Sequence, residues 1–119
     1  MADPRYILVI DDEATRAFVS LLLMNEGYDV LTATDGKMAL DQLTDCTPTL
    51  ILLDMRMPQM DGVAFVDAYH NRPELHAPII LMTAGRETPD STLTLNIAGF
   101  LAKPFNLDAL LSLVERYIP

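Results

Sequence analysis

Four short apolar runs in this 119-residue chain each end on residues able to do chemistry. YILVI (6–10) runs into Asp11, Asp12 and Glu13, and TLILL (49–53) runs into Asp54. PIILM (78–82) runs into Thr83 and Ala84, and GFLA (99–102) runs into Lys103 and Pro104. In an open parallel α/β sheet, sites form outside the carboxyl ends of the strands, so these groups would converge on one rim. Three carboxylates gathered there need an offset, because two unit charges about 4 Å apart repel by roughly 4 kcal/mol at an effective dielectric near 20. A hard divalent cation suits such oxygen ligands, and Mg²⁺ accepts one or two carboxylates together with a phosphate oxygen. Lys103 adds a fixed positive charge and Thr83 a hydroxyl donor. A carboxylate beside Mg²⁺, an ammonium and a hydroxyl is a site for phosphoryl transfer to aspartate, with Asp54 as the in-line nucleophile. An ionised carboxylate needs no general base.

The elements that would position this rim follow from periodicity. Tyr6–Ile10, Thr49–Leu53 and Pro78–Met82 are continuous apolar runs, the pattern of strands buried on both faces. Tyr28–Ala33 and Gly99–Ala102 complete five strands. Helical stretches lie between them at Ala14–Glu26, Gly36–Asp45, Asp61–Asn71, Thr88–Ile97 and Asn106–Tyr117. Gly27 stops the first, Pro48 lies beyond the second, and Pro73 closes the third. Asn106 is the expected N-cap of the last, with Asp108 in its first turn. Alternating strands and helices predict an α/β fold of the flavodoxin-like, doubly wound type: five βα units with parallel strand order 2-1-3-4-5.

Composition narrows the rest. Half the residues are hydrophobic, enough for one domain with its own core, expected to fill residues 1–119 with no second domain. A single cysteine, Cys46, excludes an intrachain disulfide framework and fits a reducing compartment. The start lacks the pattern of a secretory signal, and no apolar run approaches the roughly 20 residues needed to cross a bilayer. A cytoplasmic protein is expected. A net charge of −9, from 17 acidic and 8 basic residues, disfavours direct nucleic-acid binding. His70 and His76 lack metal-ligand spacing and are expected at the surface. Asp61 and Gly62 mark a turn and helix start, and the seven methionines are expected mostly in the core.

IDDE (10–13), LLDMRMPQMDG (52–62), LMTA (81–84) and FLAKPF (100–105), in this order and over essentially the whole chain, resemble the receiver domains of two-component signalling. The resemblance implies that Asp54 takes a phosphoryl group from a histidine kinase or histidine phosphotransfer protein and that the change is passed to an output partner. It implies a Mg²⁺ site with Asp12, Asp54 and the backbone carbonyl of Arg56 as ligands and Asp11 acting through water. Thr83, Lys103 and the backbone at Ala84 and Met55 would grip the phosphoryl group. Phe100 matches the switch aromatic that responds to Thr83, and Pro104 the turn where receivers often have a cis peptide bond after the lysine. Such a domain is not an enzyme beyond its own phosphorylation and dephosphorylation.

Other readings remain at this stage. Asp11-Asp12-Glu13-Ala14-Thr15 is a near miss to the D-x-D-x-T pattern of haloacid-dehalogenase-like phosphatases, with Glu13 in place of the second Asp. A flavin-binding module shares the topology but wants glycines or hydroxyls where DDEAT stands. A module that interacts without taking phosphate is a third. Two features depart from the family. Thr83 to Phe100 is 17 residues, shorter than receivers commonly have, and RETPDSTLTLNIAG is a weak helix former. A short, mobile or displaced helix is therefore expected at 88–97, which puts in doubt an output face built from that helix, the fifth strand and the last helix. The first helix carries Phe18, Val19, Leu21, Leu22, Leu23 and Met24, more than one buried stripe holds. This means either a deeper core or a patch for a kinase or a second copy of the chain. Arg56, two residues after Asp54, is expected to overhang the phosphoryl group with its side chain and alter its lifetime.

Overall fold

Residues 6–11, 13–44, 47–54, 62–72, 77–83, 97–103 and 105–117 are described by a computed structural model. Five strands, β1 (Tyr6–Ile10), β2 (Asp29–Ala33), β3 (Leu50–Asp54), β4 (Ile79–Thr83) and β5 (Gly99–Ala102), form one sheet of order β2-β1-β3-β4-β5. All four pairings are parallel. The four helices among the described residues are α1 (Glu13–Asn25), α2 (Gly36–Gln42), α3 (Gly62–His70) and α4 (Leu107–Tyr117). The helix expected at 88–97 lies outside the described residues except for Ile97, which is not helical and packs against the core. The expected elements otherwise hold, with ends moved by a few residues. The largest change is in α2, which closes at Leu43 through its N–H on the Ala39 carbonyl rather than running to 45.

The continuous apolar runs are buried because the sheet is covered on both faces. Leu8, Ile10, Ile51, Leu53, Ile79 and Leu81 meet α2 and α3 through Ala39, Leu43, Phe65, Val66 and Tyr69. Ile7, Val9, Leu50, Leu52, Ile80 and Met82 meet α1 and α4 through Val19, Leu23, Leu110 and Val114. The alternate residues of each strand therefore feed two separate cores.

Local chemistry sets the ends of the helices. Gly27 adopts φ 91°, a conformation that costs an L side chain. Its N–H donates to the Met24 carbonyl, and the Tyr28 N–H donates to that of Leu23, the paired bonds of a Schellman cap. Asp35 caps α2, its Oδ1 accepting from the Met38 N–H at 2.8 Å. Asn106 Oδ1 accepts from the Ala109 N–H at 2.8 Å, as its N-cap role requires. Three expectations are corrected. Met24 and Met38 are exposed, and only Met82 among the described methionines fills the core. His70 is half-buried against the Tyr69 ring rather than at the surface. Phe18, Leu21 and Met24 of α1 are exposed while Val19 and Leu23 are buried, so the extra apolar residues do not enter a deeper core. No helix of the described residues is long and apolar enough to cross a membrane.

Candidate functional site

Strand alternation brings the charged groups to one place. Asp11 continues the parity of Ile7 and Val9, Asp54 that of Leu50 and Leu52, and Lys103 that of Leu101, all residues of the α1–α4 face. β1 and β3 are adjacent, with Ile10 beside Leu53, so Asp11 and Asp54 emerge next to one another at the carboxyl edge. The Lys103 Nζ lies 2.8 Å from Asp11 Oδ2 and 3.6 Å from Asp54 Oδ1. The Asp11 side chain is 0% exposed, that of Asp54 15% and that of Lys103 24%. A carboxylate withdrawn from water needs a counter-charge. The ammonium supplies it to Asp11 and still reaches Asp54, which sets two negative charges against one positive among these three residues.

Thr83 ends β4 and is buried. Its carbonyl accepts from the Lys103 N–H at 2.6 Å, which ties the β5 exit to the β4 exit. Thr83 pairs with Ala102, and Leu81 with Phe100. Thr83 and Phe100 are thus diagonal neighbours on the α2–α3 face, where half-buried Phe100 packs against the core containing Leu81. Asp11, Asp54 and Lys103 meet at the carboxyl edge, and Thr83 ends the neighbouring strand with its backbone bonded to that of Lys103. Asp12, Met55, Arg56, Ala84 and Pro104 lie outside the described residues, as do Cys46, Asp61 and His76.

The donor set fits Mg²⁺. Hard carboxylate oxygens of Asp11 and Asp54 share one rim, with the Lys103 ammonium between them. Beside the rim lies a hollow of about 340 Å³ lined by Thr15, Phe18, Lys103 and Phe105. The Phe18 and Phe105 rings stand 6.4 Å apart in a tilted pair. Spacing gave no notice of this wall, because Phe18 belongs to α1 and Phe105 follows β5, and only the fold joins them. The signal available was local: Thr15 and Phe18 share a helix face, and Phe105 lies two residues past Lys103.

Comparison with known proteins agrees with the geometry. Residues 7–115 match the family profile of the response regulator receiver domain. The chain is similar to sporulation initiation phosphotransferase F of Bacillus subtilis, at 34% identity over 95% of this chain and 93% of that one. It is also similar to the regulatory protein AtoC of Escherichia coli, at 35% identity over 92% of this chain, yet spans only 24% of that protein. Among solved structures it resembles the receiver domain of a Pseudomonas aeruginosa sensor histidine kinase, with a TM-score of 0.86, 26% identity, and coverage of 96% and 97% of the two chains. That structure has a magnesium ion coordinated in its active-site cleft.

Proposed function

This chain belongs to the response regulator receiver domain family, and from that premise we propose that Asp54 accepts a phosphoryl group from a phosphohistidine donor in a Mg²⁺-dependent step. The observation that supports this most is the Lys103 ammonium set between the buried Asp11 and the more accessible Asp54 at the carboxyl edge of a parallel sheet. An oxygen of Asp54 forms the new bond to phosphorus as the P–N bond of the donor breaks, and the imidazole leaves with the electron pair. Lys103 neutralises charge on the phosphoryl oxygens, and the Thr83 hydroxyl donates to one of them. Asp54 and Asp12, with the Arg56 carbonyl and Asp11 through water, would hold Mg²⁺, which when bound supplies positive charge to the transferring group. The backbone at Met55 and Ala84 completes the grip, and Pro104 fixes the turn that carries Lys103.

Asp11 stays paired to Lys103 in this reading. The buried carboxylate orients the ammonium, and the more accessible one reacts. A phosphoryl group adds roughly −1.5 to −2 charge, and attraction of Thr83 towards it biases the position of Phe100. Phe100 then reports the state to an output partner. The group is carried once per chain, not turned over on a small substrate. Intact-mass measurement after incubation with acetyl phosphate and Mg²⁺ tests the proposal. One phosphoryl adduct is expected on the wild-type chain, and none on Asp54→Asn or in excess EDTA. An adduct of equal yield on Asp54→Asn would sink the assignment.

A further inference from the structure

Helix α1 has two flanks beside the residues it buries. Val19 and Leu23 face the sheet, and helical spacing sets Thr15 and Phe18 to one side of them and Arg16 and Ser20 to the other. Thr15 and Phe18 border the hollow beside Lys103. Arg16 and Ser20 border a different hollow of about 300 Å³, completed by Ala17 and by Thr32 of the edge strand β2. Thr32 pairs with Val9 and follows the parity of Val30, both on the α1–α4 face, so its side chain turns towards α1. The Thr32 carbonyl accepts from Gln42 Nε2 at 3.0 Å, which fixes the strand at this point. Arg16, Ser20 and Thr32 are all half-buried. Among the described residues the walls of this hollow hold one cation and two hydroxyls and no carboxylate.

We propose that this hollow binds a small phosphate monoester, at a place distinct from the phosphoryl site at Asp54. The Ser20 Oγ is buried and makes no hydrogen bond among the described residues. A buried hydroxyl left without a partner is costly, and an occupant that accepts from it removes the cost. Turning about the Cα–Cβ bond presents the hydroxyl to the hollow without moving the helix. Arg16 supplies a planar fork of N–H groups that matches an oxyanion. With five donors it can hold a neighbour in the chain and the occupant together. Thr32 adds a second hydroxyl from the facing strand. A carboxylate needs only the fork, whereas donors converging from a helix and a strand suit the several oxygens of a tetrahedral phosphate. The hollow is larger than a bare phosphate, and Ala17 gives it an apolar wall, so the few carbons of an ester fit beside the anion. The net charge of −9 acts over distances that salt screens, while Arg16 acts in contact. Ordered water would satisfy Ser20 but has no use for a guanidinium.

Amide ¹H–¹⁵N spectra of the whole chain, titrated with glycerol 3-phosphate, inorganic phosphate and acetate in EDTA at constant ionic strength, test it. The site requires neither Asp54 nor Mg²⁺, so this test and that of the Asp54 assignment fail separately. The amides of Ala17, Ser20 and Thr32 are expected to move together with glycerol 3-phosphate and to saturate with a dissociation constant of about 1 mM, in the weak range. Arg16→Gln should raise that constant about tenfold through loss of the charge-assisted fork, and Ser20→Ala by a smaller factor. Should Arg16→Gln lose the dispersed spectrum of the folded chain, Thr32→Val, which keeps the branched shape at that strand position, carries the same test. No movement of these amides up to about 50 mM ester overturns the proposal and leaves Ser20 to water. Equal movement with acetate overturns the choice of phosphate, and equal affinity for inorganic phosphate overturns the ester. Movement that persists unchanged in both Arg16→Gln and Ser20→Ala overturns the location.

Discussion

Among the described residues the Lys103 ammonium has two carboxylates within reach and sits closer to the buried one, at 2.8 Å from Asp11 against 3.6 Å from Asp54. The Asp11 side chain is withdrawn from bulk solvent, so it gains more from the ammonium than Asp54 does. The consequence is a division of labour between chemically identical groups. Asp11 is held by the lysine, and Asp54 keeps an exposed edge for an incoming phosphorus. Lys103→Met would leave the Asp11 carboxylate buried without its cation, and removing one partner of a buried pair costs several kcal/mol. About 2–4 kcal/mol of unfolding free energy should be lost, since the Lys103 side chain is itself partly in water. Mg²⁺ bound to the folded state alone should restore part of that loss by mass action. Urea unfolding with and without Mg²⁺ should therefore show a larger Mg²⁺-dependent rise in midpoint for Lys103→Met than for wild type. An equal rise in both proteins would mean that the lysine and the metal do not serve the same carboxylates.

At the level of elements, caps decide where helices stop, and those of α1 and α4 were legible. Gly27 follows the apolar stretch of α1 and takes the positive φ that closes it. Asn106 precedes α4 and caps it as expected, whereas the Asp35 cap of α2 was found only in the structure. A β-carbon at position 27 would meet the left-handed penalty of about 1–2 kcal/mol, so Gly27→Ala should lower stability by that amount. Asn106→Ala should cost about 1 kcal/mol through the lost bond to the Ala109 N–H. Thermal or urea unfolding reads both, and the yield of Asp54 phosphorylation should stay unchanged in each, because neither residue touches the rim. What the letters could not show was which side of α1 faces in. In FVSLLLM every helical face offers an apolar residue, so periodicity carries no phase there. The sheet selects Val19 and Leu23 for burial and leaves Phe18, Leu21 and Met24 outside. Met38 was misplaced for a related reason: α2 has few residues, and Ala39 with Leu43 already fills its contact with the core.

Across the molecule, strand order and the identity of the rim were readable because YILVI, TLILL and PIILM are apolar on both faces and each terminates in a reactive residue. The division of the strands between two cores was not. It depends on register, and register sets Thr83 beside Ala102 and Leu81 beside Phe100. The three charged residues and the Thr83–Phe100 pair consequently continue opposite faces of one sheet. Asp11, Asp54 and Lys103 continue the α1–α4 face, while Thr83 and Phe100 belong to the α2–α3 face. A signal generated at Asp54 must cross the sheet, and Thr83 is the residue at its edge able to carry it. The chain contains no tryptophan, so Phe100→Trp gives a single emission reporter on the far face. Phosphorylation with acetyl phosphate and Mg²⁺ should shift that emission to the blue as the ring moves into the core. In a Thr83→Ala background the phosphoryl adduct should still form on Asp54, because the nucleophile and the lysine remain, but the emission shift should shrink or vanish. An undiminished shift without the Thr83 hydroxyl would place the crossing elsewhere in the sheet, and loss of the adduct itself would make that hydroxyl indispensable to the transfer step as well as to the message.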